Sequence, residues 1–224
     1  MYALHWDPRM GTLDRPMIRL AILVVLVAGA NVALAQRFDG GIDLQNTIVI
    51  DTKHGRIVVR LRSDVAPRHA ERIKQLAREK YYDNVPFHRV IGGFMAQTGD
   101  GQRGDGTGGS RYPNLLAELS NVPFTRGVVG MARAADPNSA NSQFFIMIAD
   151  WPILNGKYTV VGEVLSGMDV VDSIKKGEPV VDPDRMLRVQ VAADAISSGS
   201  PALVPPARPP NREDAACQRY PNLC

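Results

Sequence analysis

The chain has 224 residues, 45 % of them hydrophobic, enough to pack one good-sized domain without a metal or disulfide staple. Its formal net charge of +3 comes from three arginines against two aspartates over residues 1–35 and 23 basic against 21 acidic residues beyond. That excess is too slight and dispersed for a nucleic-acid-binding protein.

Residues 17–36, MIRLAILVVLVAGANVALAQ, open with a basic residue, Arg19, run apolar over residues 20–30 and reach Ala33, Leu34 and Ala35 ahead of Gln36. This is the pattern of a secretory signal with a small-residue cleavage site, so export with processing after Ala35 is expected. The alternative is an uncleaved membrane anchor, which wants about 20 apolar residues and no cleavage motif. No cysteine stands at the processing point, which removes a lipoprotein anchor. Residues 1–16 fit neither part of a signal, making Met17 a candidate natural start. Residues 1–35 are therefore assigned to targeting and 36–43 to a short lead, with the folded domain over 44–195.

NTIVIDTK and RIVVRLR are rich in β-branched residues and meet at His54 and Gly55, which predicts a hairpin. Ser63 and Asp64 can cap the following segment, APRHAERIKQLAREK. There Pro67 in the first turn and a stripe of Ala66, Ala70, Ile73, Leu76 and Ala77 predict a helix laid against a sheet. Further strands are expected in PFHRVIG, FMAQT, GVVGMAR, QFFIMIA, YTVVGEV and MLRVQVAA, with a second, short helix in GMDVVDSIKKG stopped by Gly177. Eight strands with two helices point to a mainly β fold, a closed eight-stranded antiparallel barrel, because closure removes exposed edges. Residues 99–120 form an irregular loop, of a length that is usually functional or disordered. From Pro201 onward six prolines in 24 residues make an extended tail, 196–224. Its Cys217 and Cys224 either close a small disulfide loop after export or stand as an incidental pair.

Two letter patterns mislead. Gly99, Gly101 and Gly104, and again Gly104, Gly106 and Gly109, match the dinucleotide fingerprint, yet no helix follows to receive a pyrophosphate. Asp100 and Asp105 among the glycines lack the terminal bidentate glutamate of a calcium loop. His5, His54, His69 and His88 show no paired metal-ligand spacing, and His88 reads as a packed strand residue. No Gly-x-Ser-x-Gly elbow supports a serine hydrolase. No metal or other cofactor is expected.

Alternation along an extended strand puts Arg89 with Phe87 and Ile91, and His88 with Val90 on the other face. If Gly92 and Gly93 keep the parity, Met95 and Gln97 continue the Arg89 face, whereas Phe94 joins it only if the glycine pair re-aims it as a bulge. The same rule groups Gln143 with Phe145 and turns Phe144 and Ile146 away. The bland explanation is half-buried barrel residues with a snorkelling arginine. Two amides and a guanidinium at strand centres on otherwise apolar faces favour a ligand groove.

Three segments in order, FHRVIGGFMAQTGD, GMARAADPNSANSQFFIMI and LNGKYTVVGEV, resemble the active-site segments of cyclophilin-type peptidyl-prolyl cis-trans isomerases, a likeness that extends over about residues 44–193. The resemblance implies a barrel with a helix at each end and a substrate groove on its outer surface. It makes Arg89 the catalytic arginine, assisted by Gln97, Phe94 and Met95, with Phe145 and Leu154 completing the proline pocket. Gln143 joins Gln97 in holding the peptide backbone, and Ala132 and Arg133 lie along the groove. Arg133 stands where many members carry asparagine. Ile153 takes the place of a tryptophan important for cyclosporin, with Trp151 two residues too early, so weak cyclosporin sensitivity is expected. Tyr158 replaces a groove histidine, and one extra residue falls near 136–138. The chemistry fits the residues, since rotating an X-Pro amide breaks no bond and needs neither nucleophile nor base. The expected partners are proline-containing segments of unfolded or flexible exported proteins. The expected state is a monomer, periplasmic or secreted, with no stable membrane association once the signal is cleaved; inner-membrane anchoring is the alternative. Two other functions are weighed against catalysis: a non-catalytic proline-peptide binding module or chaperone, and a membrane-anchored scaffold built around the tail.

Overall fold

The β-branched run that predicts a hairpin forms one, in β1 (Thr47–Thr52) and β2 (Gly55–Leu61), paired antiparallel from Thr47 opposite Arg60 to Thr52 opposite Gly55. The turn between them needs Gly55, whose φ of 132° a side chain rarely adopts. The computed structural model describes residues 42–197. The signal or anchor segment, its cleavage site and the tail with Cys217 and Cys224 lie outside the described residues.

After the hairpin come α1 (Pro67–Arg78), β3 (Val85–Pro86), β4 (Arg89–Ile91), β5 (Met95–Thr98), β6 (Val128–Met131), β7 (Phe144–Met147) and β8 (Val160–Ser166). The order ends with α2 (Met168–Ser173), β9 (Arg185–Met186), β10 (Arg188–Val191) and α3 (Ala192–Ser197). Eight strands make one antiparallel sheet in the order β10-β1-β2-β8-β6-β7-β5-β4, while β3 and β9 pair separately. The sheet curls into an approximate barrel. Its terminal strands β10 and β4 do not pair with each other; β4 instead exchanges Val90–Gly177 backbone hydrogen bonds of 2.8 and 2.9 Å with the loop that follows α2. Among the described residues no helix is long and apolar enough to cross a membrane.

Alternation sorts the strand residues onto two faces. Ile48, Ile50, Ile57, Val59, Val90, Ala96, Phe144 and Ile146 share the main core, and Ala70, Ile73, Leu76 and Ala77 of α1 press on it, as the stripe predicts. Complete burial of Ile73 and Leu76 contributes roughly 1.5–3 kcal/mol each. A second, smaller apolar cluster gathers Met95, Phe124, Val128, Phe145, Met147 and Val160.

Four local expectations need correction. Neither Ser63 nor Asp64 caps α1; its N-cap is Ala66, without a side-chain bond, while Asp64 is engaged by Arg62 at 2.7 Å. The Glu118 carboxylate does the capping, accepting from the backbone N–H of Arg68 and His69 at 3.2 and 3.1 Å. The segment PFHRVIG is two short strands, because the chain leaves the sheet at Phe87 and His88. Finally, α2 ends at Ser173, before Gly177, and the strand expected in MLRVQVAA stops at Val191, where the unforeseen α3 begins.

Candidate active site

Strand register assembles the site. Arg89 on β4 lies opposite Gln97 on β5, Gln97 opposite Phe145 on β7, and Phe145 opposite Gly130 on β6. Cation, amide, aromatic ring and glycine therefore form one row across four strands, on the face away from Phe144 and Ile146. A second row, Ile91, Met95 and Met147, runs beside it. Phe87 is not on this face: it is fully buried in the main core, because the break between β3 and β4 resets the alternation.

The glycine pair re-aims Phe94, but as a tight turn. Ile91 faces Met95 across a three-residue loop in which Gly93 takes φ 72° and the Phe94 N–H donates to the Ile91 carbonyl at 3.1 Å. Phe94 thereby packs against the smaller cluster, and the Trp151 ring lies 4.6 Å from it.

Arg89, Phe94, Met95, Gln97, Ala132, Arg133, Phe145, Leu154 and Tyr158 line a cavity of about 140 Å³. Of the other residues expected here, Gln143 lines an adjoining cavity of about 380 Å³ that shares Gln97, Ala132 and Arg133. Ile153 stands outside both linings, 65 % exposed on a 3-10 turn, Pro152–Leu154. Trp151, just before that turn, supplies the aromatic contact with Phe94.

The amides are coupled. Gln143 Nε2 donates to the carbonyls of Gly106 and Gly108 at 2.9 and 2.8 Å, and its Oε1 accepts from Gln97 Nε2 at 3.0 Å. With its donors committed to the loop, Gln143 holds the Gln97 amide through Nε2, and Gln97 lines both cavities. Arg133 is likewise occupied: Nη1 donates to the Ala134 and Ala135 carbonyls, Nη2 to that of Lys157, and the guanidinium lies 4.3 Å above the Tyr158 ring. Two of the departures from the family pattern, Arg133 and Tyr158, thus pack on each other as a cation–π pair.

Arg89 also meets a residue the sequence did not suggest. Its Nε donates to Glu178 Oε1 at 2.5 Å, and both side chains remain partly exposed, at 37 and 55 %. The ion pair leaves the arginine on the cavity wall, within reach of a ligand. His88, on the opposite face, is buried, and burial pushes its pKa below the ordinary imidazole value against the pull of Asp100 and Asp105. What the cavity offers chemically is the Arg89 cation and an amide at the edge of an apolar notch; its lining holds no carboxylate, imidazole, thiol or aliphatic hydroxyl, and its one phenol, Tyr158, packs between the Phe145 ring and the Arg133 guanidinium.

A family model for cyclophilin type peptidyl-prolyl cis-trans isomerases matches residues 47–192. The chain is 51 % identical over 187 residues to a probable peptidyl-prolyl cis-trans isomerase of Brucella suis, spanning 75 % of this chain and 95 % of that protein. Peptidyl-prolyl cis-trans isomerase B of Escherichia coli is 38 % identical over 136 residues, 57 % of this chain and 83 % of its own. Among solved structures, a cyclophilin from Hirschia baltica superposes with a TM-score of 0.64 at 28 % identity, over 68 % of this chain and 76 % of that one. A cyclophilin type peptidyl-prolyl cis-trans isomerase of Cryptosporidium parvum, crystallised in the presence of the dipeptide Ala-Pro, gives 0.60 at 27 % identity, over 65 and 98 %.

Proposed function

The chain belongs to the cyclophilin-type peptidyl-prolyl cis-trans isomerases, and from that premise we propose that it binds proline-containing segments in the cavity beside Arg89 and turns their X-Pro amides there. The observation that carries the reading is the common lining: Arg89 shares one cavity with Phe94, Met95, Phe145 and Leu154. The barrier to rotation, about 18–20 kcal/mol, arises because the nitrogen lone pair is delocalised into the carbonyl. Rotation localises that pair on nitrogen. A donor that meets it only then stabilises the twisted state above the planar one, which is the sole kind of binding that accelerates the step.

In this reading the apolar wall grips the pyrrolidine ring, Arg89 donates to the pyramidal nitrogen, and Gln97 Oε1 accepts from the peptide backbone. Gln143 supports Gln97 from behind. Every tenfold in rate asks for about 1.4 kcal/mol of such differential binding. Losing one charged donor of this type costs roughly 100- to 1,000-fold by analogy with oxyanion donors. Arg89→Ala is therefore expected to lower kcat/KM on a short X-Pro peptide by about 100-fold with the fold intact by circular dichroism. Arg89→Lys should fall between, since an ammonium offers a point charge without the planar fork. Wild type and Arg89→Ala turning over at one rate would leave only a peptide-binding module.

We further propose that the protein works as a monomer on exported chains, periplasmic or secreted, after cleavage behind Ala35. The support is the signal-like pattern of residues 17–36, together with uncatalysed exchange that takes roughly 10–100 s and so delays folding. N-terminal sequencing of the exported protein tests this: Gln36 or a near neighbour is expected, and a mature chain that still begins at Met17 refutes it.

A further inference from the structure

The loop after α2 is tied to the strand that carries Arg89, residue against residue. Gly177 exchanges both backbone hydrogen bonds with Val90, at 2.8 and 2.9 Å, and the Val180 N–H donates to the His88 carbonyl at 3.1 Å. His88 and Val90 flank Arg89, so the loop is pinned on either side of it and Glu178 is set directly across from the arginine. The near anchor is tight: a Cβ on Gly177 would come within 2.9 Å of the Pro179 carbonyl oxygen and of Val180 Cα. Farther along, the buried Asp184 carboxylate accepts from the Lys175 N–H at 2.9 Å and holds the loop's start to its end. Glu178 is thus delivered to its place by backbone pairing on both sides, which an incidental surface ion pair would not need.

The contact it makes there is one-sided. Glu178 Oε1 takes Nε of Arg89, and no side chain or carbonyl among the described residues accepts from Nη1 or Nη2. Glu178 itself is not part of the cavity lining that includes Arg89. A guanidinium is planar, so fixing it at Nε sets the plane and direction of the two remaining nitrogens.

We propose that Glu178 is a positioning residue for catalysis: held by the Gly177 and Val180 pairings, it grips Arg89 from the solvent side and presents the Nη edge to the X-Pro amide. The inference rests on the assignment of Arg89 as the catalytic donor. Because the arginine keeps its charge and the cavity keeps its apolar wall without Glu178, the effect falls on turnover and spares substrate affinity.

The test is an X-Pro peptide isomerisation assay at fixed ionic strength on wild type, Glu178→Ala, Glu178→Gln, Arg89→Ala and the double variant Arg89→Ala with Glu178→Ala. Glu178→Ala is expected to lose roughly three- to fivefold in kcat with KM within about twofold, the upper end of the scale of one partly exposed ion pair. Glu178→Gln, whose amide oxygen can still accept from Nε, should keep at least about half the wild-type kcat. The double variant should be no slower than Arg89→Ala alone. Glu178→Ala at the wild-type rate while Arg89→Ala is slow overturns the positioning role and leaves the catalytic arginine standing. A further loss on adding Glu178→Ala to Arg89→Ala overturns it too, because the acid would then act without the arginine. Wild type no faster than Arg89→Ala overturns the isomerase reading on which the inference rests.

Discussion

Gly130 carries no functional group, yet replacing it with alanine should damage both stability and activity. On β6 it lies opposite Phe145, and a Cβ there would come within 2.5 Å of Phe145 Cζ and 2.6 Å of Phe124 Cε1. Carbon atoms in contact settle at about 3.5–4.0 Å, so a ring must move by about 1 Å. The two rings stack at 5.9 Å and are almost wholly buried. Phe124 is held at both ends of its peptide, by Asn155 Oδ1 on its N–H and by the Trp151 N–H on its carbonyl, each at 2.8 Å. Phe145 has the 140 Å³ cavity beside it and is the ring that yields. Overpacking of this kind costs about 1–3 kcal/mol, and a ring driven into the proline notch should lower kcat/KM about tenfold or more, equivalent to some 1.4 kcal/mol. Urea denaturation reads the first and the peptide assay the second. In the Gly130→Ala background, Phe145→Leu should recover part of the stability and none of the activity. A Gly130→Ala protein of wild-type stability and wild-type kcat/KM would show that the row of four residues is not packed as described.

Two further perturbations separate folding from catalysis. Burial alone would raise the Asp184 pKa, but Lys53 Nζ at 2.5 Å, the Lys175 amide and His54 Nε2 at 2.8 Å hold it down to about 2. A depressed folded-state pKa gives stability that is complete above about pH 4 and is lost as pH falls through about 2, worth about 2 kcal/mol at neutral pH. Urea unfolding of Asp184→Asn should therefore be less stable at pH 7 and converge with wild type at the acid end, and a constant gap between them across that window would refute the account. Glu118→Ala removes the cap from Arg68 and His69 and the 2.6 Å partner of the buried His69 ring. It should cost about 1–3 kcal/mol in denaturant while kcat/KM stays within about twofold; a large kinetic loss with no loss of stability would contradict the structural role.

What the sequence discloses of this site follows from range. Arg89, Gln97 and Phe145 are legible because each sits in a strand whose period of two assigns a face without tertiary knowledge, and antiparallel pairing then aligns them. Phe87, two residues from Arg89, fails the same rule because the strand is interrupted at Phe87 and His88, and nothing in PFHRVIG marks the interruption. Glu178 is 89 residues from Arg89 and Glu118 is 49 from His69; both lie in irregular segments, where no period says which backbone they will meet. Trp151 escapes differently: it stands two residues ahead of the place of the family's tryptophan, and its N–H is held by the distant Phe124 carbonyl while its ring meets Phe94. The helix α3 is six residues long, too short for a helical period to outweigh the β-branched run before it.

The long loop after β5 shows how a misleading motif can still be physically informative. Its glycines imitate a phosphate-binding fingerprint, and the loop does converge its backbone on an anion. That anion is the chain's own Asp100, 1 % exposed, whose carboxylate accepts from the N–H groups of Gln102, Arg103, Gly106 and Gly108 at 2.9–3.2 Å. Burial would raise the Asp100 pKa, but these amides hold it below the ordinary carboxylate range. The approach requires glycine, since a Cβ at position 108 would lie 2.3 Å from Asp100 Oδ1 and Gly106 takes φ 90°. The same two residues, Gly106 and Gly108, turn their carbonyls to Gln143, so the loop is clamped between a carboxylate on its N–H side and an amide on its carbonyl side. Gln143 is thereby oriented to receive Gln97, and Gln97 is aligned against Arg89 by strand register. The irregular loop and the regular sheet therefore fix one another at the cavity, and an otherwise flexible glutamine is held there by its amide nitrogen.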